Sequence, residues 1–146
     1  MLSNSRPWFA ANAVSAWIGL AVSVTLTVLG TYPSTNTVPS QLGSADAGLL
    51  SRVFDNWTYF TIWSNVVVGI TLTLLAINPA RDSPVFRVLR LDGLLMISVT
   101  GLVYAIVLAP TASPQGWEQV SNFFLHQLTP VLTLVVWGLF GPRRWI

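Results

Sequence analysis

The fold class predicted by this sequence is all-α, an integral membrane bundle of four transmembrane helices with both termini cytoplasmic. Three observations predict it. Charged residues make up only 8% of the 146-residue chain and hydrophobic residues 53%, against roughly 25% charged in a soluble domain. Seven basic and five acidic side chains are too few to cover a water-facing surface, and the mean hydropathy is +0.64. Second, four long apolar runs lie at about 8–30, 57–77, 93–109 and 120–140, with no Asp, Glu, Lys or Arg inside them. Each approaches the roughly 20 residues that a helix needs to cross a bilayer core of about 30 Å. Third, the runs lack the period-2 alternation of a membrane barrel strand, so their backbone groups must be satisfied within helices. Residues 1–146 read as a single transmembrane domain with spans at about 8–30, 57–77, 91–110 and 119–140.

Taken in order, the first span follows Arg6 and exceeds 20 residues. A signal-peptide core runs about 7–15 residues, so it reads as a retained span. The outer loop 31–56 is rich in Ser, Thr, Pro, Asn and Gly and carries Asp46, Arg52 and Asp55. Pro33 and Pro39 argue against helix in its first half, while 49–54 is apolar enough to lie on the membrane or fold over the bundle. The second span closes at the Asn78-Pro79 turn signal. An inner loop to Arg90, the third span, a short outer loop with Pro114 and Gly116, and the fourth span complete the chain.

Arginine supplies all the basic charge. Arg6, Arg81, Arg87, Arg90, Arg143 and Arg144 fall on one side of a four-span arrangement and only Arg52 on the other. The positive-inside rule then places both termini in the cytoplasm. Trp8, Trp57, Tyr59, Trp117, Trp137 and Trp145 flank the spans, where amphipathic rings favour the interface. The sequence pI near 9.7 does not indicate nucleic-acid binding, because the arginines are dispersed and no groove-reading motif accompanies them. The absence of cysteine removes thiolate chemistry and Cys-ligated metals.

Small and polar residues form stripes. Asn12, Ser15, Gly19, Ser23, Thr27 and Gly30 recur at steps of three or four on the first span, and Gly101, Ala105 and Ala109 on the third. Such stripes let helices approach closely in lipid. Apart from tyrosine phenols such as Tyr104, His126 is the only titratable side chain inside the four apolar runs. Intramembrane ionisable residues usually face the interior or a cavity. His126 shares a stripe with Asn122, Thr129 and Thr133, beside Pro130. The second span offers Thr61, Ser64 and Asn65 on one face. Asn65 and His126 both lie roughly 12 Å below their Trp markers at 1.5 Å rise per residue. Side-by-side packing of these two spans would therefore gather one polar cluster in the outer half of the membrane. A neutral His can take a proton from a hydroxyl and return it to a leaving group, which activates an otherwise weak Thr nucleophile. The competing reading makes His126 a buried hydrogen-bond pivot. One His without a buried carboxylate does not suit a metal, and no cofactor is expected.

The segment Thr-Tyr-Phe-Thr-Ile-Trp-Ser-Asn at 58–65, followed after a long gap by Asn122-Phe-Phe-Leu-His126 and Pro130, resembles the androgen-induced family of multispan membrane threonine hydrolases, which includes the androgen-dependent TFPI-regulating branch. The resemblance implies a catalytic Thr at Thr61 and a catalytic His at His126, with fatty acyl esters as substrates. Ser64, Asn65 and Asn122 would support them by hydrogen bonds to the oxyanion or the imidazole. The sequence departs from the animal pattern at Ser64, where an acidic residue is usual, and family members usually continue with further spans after the His helix, where these 146 residues stop. Two functions follow as expectations: a lipid-ester hydrolase, or alternatively a non-catalytic four-span scaffold or complex subunit. The bilayer is the expected environment in both. Partner helices or a homo-oligomer fit the second.

Overall fold

The computed structural model describes residues 5–31 and 48–141. Pro33, Pro39, Asp46, Arg143, Arg144 and Trp145, which entered the loop, charge and interface arguments, lie outside the described residues. The described chain is all helical: α1 (Arg6–Leu29), α2 (Leu49–Thr58), α3 (Phe60–Ile77), α4 (Pro84–Leu108) and α5 (Trp117–Phe140). All but α2 are long and apolar enough to cross a membrane.

Local chemistry sets the ends. Gly30 adopts φ +67° after α1, a conformation that glycine enters without steric cost. Its N–H bonds the Thr27 carbonyl, and the Thr31 N–H bonds that of Leu26, which is the Schellman closure of a helix. The Arg52 guanidinium then covers the same end, donating from Nε to the Thr27 carbonyl at 3.1 Å and from Nη2 to the Val28 carbonyl at 3.1 Å. A cation is favourable there because carbonyl dipoles converge at a helix C-terminus. Segment 49–58 thus folds onto α1 as the helix α2. Arg52 and Asn56 face the bundle, while Leu50 and Phe54 point outward. Its apolar stripe is turned away from the protein, as suits a helix in the headgroup boundary.

Tyr59 is extended and divides α2 from α3, so Trp57 belongs to the corner and not to the second span. The Trp63 indole N–H braces that corner through the Trp57 carbonyl at 2.8 Å. Asn78 stops α3 because the following Pro79 disfavours helical backbone before it. The third span begins earlier than its apolar run. The Ser83 hydroxyl accepts the Phe86 N–H at 3.2 Å and Pro84 occupies the first turn, an efficient helix start. Arg87, Arg90 and Asp92 are therefore helical, and the inner loop is shorter than expected.

The spans are arranged around the bundle as α1, α3, α4 and α5, each packed on its neighbours. Thus α3 and α5 stand at opposite corners and meet across the axis, not side by side as the sequence suggested. The main core joins Phe9, Val68, Leu72, Leu75, Phe86, Ile97 and Val136. Arg6 donates to the Ile77 carbonyl at 2.8 Å, and the Phe9 and Phe140 rings meet edge to face. The start of α1 and the ends of α3 and α5 therefore share one end of the bundle. A smaller cluster of Leu20, Ile62 and Leu125 packs below the opposite end.

The stripe on α1 is largely buried, but it divides its work. Asn12 and Ser15 bond α5, and Gly19 lets Leu125 and Phe124 approach so closely that a Cβ would lie 2.7 Å from Leu125. Ser23 instead donates to Asn56 of α2 at 3.2 Å. On α4 the stripe fails after one residue: Gly101 packs on Pro130, whereas Ala105 and Ala109 are exposed. Every residue from Ala105 to Ala109 is exposed, so the last segment of α4, π-helical over Tyr104–Leu108, stands clear of its neighbours beyond Tyr104.

Candidate functional site

Two widened turns build the site. Residues Tyr104–Leu108 of α4 and Phe123–Leu128 of α5 are π-helical. Their wide bonds are explicit: Ala109 N–H reaches the Tyr104 carbonyl at 2.7 Å, and Thr129 N–H reaches that of Phe124. Such turns occur mostly as single interruptions of α-helices, frequently at functional sites. Pro130 has no N–H to return to the His126 carbonyl, which favours irregular backbone before it. Gly101 admits the Pro130 ring, since a Cβ there would lie 2.8 Å from it.

Thr61 stands in the first turn of α3 and His126 in the widened turn of α5. Their Oγ1 and Nε2 atoms are 3.1 Å apart, a hydrogen-bonded pair across the bundle axis. Both residues are half-buried. The bond requires the hydroxyl to donate if Nε2 is unprotonated. His126 Nδ1 is buried without a well-aligned partner; the Asn122 backbone interacts with the ring but does not satisfy that nitrogen.

The supporting residues take different places from those expected. Asn65 is fully buried, and its amide nitrogen donates to the Thr61 carbonyl at 2.9 Å and to the Leu125 carbonyl at 3.1 Å. Both amide hydrogens are thereby committed to tying α3 to α5, so Asn65 is a clamp and not an oxyanion donor. Its Oδ1 is buried with no partner. The Ser64 hydroxyl lies 2.9 Å from the Thr61 carbonyl and 2.9 Å from Thr100 Oγ1, bridging α3 to α4. It does not reach the imidazole. Asn122 donates to the Tyr104 hydroxyl at 2.5 Å.

The stripe through His126 also splits. Thr129 and Thr133 turn to α1, where Thr129 Oγ1 lies 3.0 Å from Ser15 Oγ and Thr133 Oγ1 accepts from Asn12 at 3.1 Å. Asn122 and His126 face α4 and α3. The π-turn separates the two pairs, and α-helical spacing cannot reveal it.

Tyr104 was not singled out by the sequence. Its ring stacks on His126 with centroids 4.7 Å apart and planes 26° apart. Its presence as an aromatic residue within a span was the sole sequence signal. An open groove of about 510 Å³ borders the site, lined among others by Tyr104, Gln119, Asn122, Phe123, Phe124 and Gln127. It reaches the supports of the Thr61–His126 pair and carries no charged side chain. Among the described residues, no group of three or more His, Cys, Asp or Glu gathers as a metal site would need.

Comparison with family models, curated proteins and solved structures finds no match to this chain.

Proposed function

We propose that this multi-pass membrane protein hydrolyses lipid esters, with Thr61 as nucleophile and His126 as base. The observation that carries the reading is the 3.1 Å contact between Thr61 Oγ1 and His126 Nε2. That distance falls within the hydrogen-bond reach required for base activation of a hydroxyl. The likeness of 58–65 and 122–126 to the androgen-induced hydrolases points the same way.

In this mechanism His126 Nε2 removes the Thr61 proton as Oγ1 attacks the acyl carbonyl carbon. The tetrahedral intermediate collapses with cleavage of the ester C–O bond, and His126 returns its proton to the departing alcohol. The acyl group is left on Thr61. Water, deprotonated by the same imidazole, then releases the fatty acid and restores Thr61. The oxyanion needs donors, and Asn65 has none to offer. The first turn of α3 does: the N–H groups of Phe60 and Thr61 precede the first bond of the helix, which Ile62 N–H makes to the Tyr59 carbonyl, and Tyr59 gives no side-chain cap. The positive end of the helix dipole lies beside Thr61, where negative charge develops.

Arg6, Arg81, Arg87 and Arg90 mark one end of the bundle and Arg52 the other. We place the Arg-rich end, and both termini, in the cytoplasm by the positive-inside rule. Thr61 and His126 then open toward the outer leaflet, the source of substrate. The test is turnover of neutral fatty acyl esters by purified protein in lipid nanodiscs. Thr61→Ala and His126→Ala should each lose about 10²–10⁴-fold while remaining monodisperse and folded. Full turnover in Thr61→Ala would exclude it as nucleophile. A wild type inert to every ester, with His126→Gln neutral for folding, would favour the scaffold reading.

A further inference from the structure

A histidine that acts as a base must be held in one orientation. In Ser-His-Asp sites a carboxylate on Nδ1 does this. Here Nδ1 has no well-aligned partner, and the Asn122 backbone is the group that interacts with the ring on that side. Two side-chain contacts then fix the imidazole: the Thr61 hydroxyl on Nε2 and the stacked face of Tyr104.

We propose that Tyr104 is a positioning residue for His126, fixing the plane of the ring and stabilising it once protonated. The inference rests on the hydrolase reading and extends it to a residue that touches neither Thr61 nor a reacting atom in the observed contacts. Tyr104 is itself held. It is 8% exposed, and its hydroxyl accepts from Asn122 at 2.5 Å and from Gln127 at 3.5 Å. Residues five apart point roughly 140° away from each other on a regular α-helix. The wide turn at Phe123–Leu128 brings Asn122 and Gln127 to one phenol, and it carries His126 between them. Helix α4 contributes the matching turn, which Tyr104 opens. The two π-segments thus form one device, in which α5 grips the phenol on both sides of the histidine that the phenol covers.

The stacking also has a chemical consequence. When His126 takes the Thr61 proton, a cation forms against the face of an aromatic ring. Aromatic faces attract cations electrostatically, and more strongly when both are withdrawn from water. Tyr104 would therefore favour the protonated intermediate without placing a carboxylate in the membrane.

His126 is the only histidine in the chain, so selective ¹⁵N-histidine labelling of the full-length protein in nanodiscs yields one imidazole in the spectrum. The expected wild-type spectrum shows one dominant neutral tautomer, protonated at Nδ1, with Nε2 accepting from Thr61. Tyr104→Phe keeps the ring and should keep this tautomer. Tyr104→Leu should give an averaged or mixed-tautomer signal and lower kcat about 10-fold with KM little changed. Asn122→Leu removes one of the two bonds to the phenol without deleting the ring and should disturb the histidine no more than Tyr104→Phe, which loses both. A wild-type-like histidine spectrum in Tyr104→Leu would overturn the proposal whatever its kcat. The same holds if Tyr104→Phe proves as damaging as Tyr104→Leu. If the spectra change as expected but wild type hydrolyses no ester, the positioning stands and the hydrolase reading fails.

Discussion

Helix α5 presents polar side chains to two neighbours, and the two interfaces differ. Toward α1, Thr129 and Thr133 meet Ser15 and Asn12, and every buried side-chain oxygen and nitrogen among these four has a partner. Toward α3 and α4, His126 and its surroundings are incompletely satisfied: His126 Nδ1 and Asn65 Oδ1 are buried without partners. The first interface has regular helical spacing, while the second is interrupted by π-turns. An unsatisfied buried polar atom is costly, more so in lipid, where water offers no relief. The closed ladder is explained by packing alone. The open one holds the Thr61–His126 contact on which the proposed chemistry rests, and strained or incomplete arrangements concentrate at functional sites.

The sharpest way to break this contrast is at Gly101, where α4 crosses the open face. A Cβ there would meet the rigid Pro130 ring at 2.8 Å, so Gly101→Ala must push α4 outward and lift Tyr104 from His126. The expected cost is about 1–3 kcal/mol, as for other overpacked interiors, together with a loss of turnover. Gly138→Ala is the control on the same bundle, because nothing lies within 4 Å of its added Cβ. Its melting temperature in nanodiscs and its activity should match wild type.

The closed face should respond in stability alone. Thr133→Val removes the bonds to Asn12 while preserving shape. Interhelical hydrogen bonds in membranes average about 0.6 kcal/mol, so a small shift in unfolding midpoint with unchanged kcat is expected. A tenfold loss of kcat in Thr133→Val would show that the two faces are not separable.

The smallest effect belongs to neither face. At the Arg-rich end, Asp82 and Arg87 form an exposed ion pair at 2.6 Å, and the hydrogen bond from Arg87 lowers the Asp82 pKa below the ordinary carboxylate value. A depressed carboxyl contributes stability above its unfolded value and loses it as pH falls through its folded value. Asp82→Asn should therefore differ slightly from wild type at neutral pH and low salt. The difference should disappear in acid and in high salt, since surface pairs are screened. Thermal scans at pH 7 and in acid measure it, and turnover should not follow.

Much of this was legible in the sequence. Four spans follow from charge depletion and run length, and Ser83-Pro84, Gly30 and Asn78-Pro79 act as their local chemistry dictates. Depth and spacing put Thr61 and His126 in one polar cluster, the family resemblance paired them, and the structure brings Oγ1 and Nε2 into contact. The roles of Asn65 and Ser64 were not legible, because whether an amide faces a substrate or a backbone carbonyl depends on the neighbouring helix. Tyr104 was hidden for a different reason. Two π-turns change which residues share a face, and no period of 3.6 read along α4 or α5 foretells that Asn122, His126 and Gln127 gather around one phenol.

The most direct test of the central claim is covalent labelling by a fluorophosphonate in lipid nanodiscs, with the modified residue mapped by mass spectrometry. The account predicts a single adduct on Thr61, absent in Thr61→Ala and strongly reduced in His126→Ala. No adduct on a well-folded wild type, or an adduct that persists in His126→Ala, would contradict it.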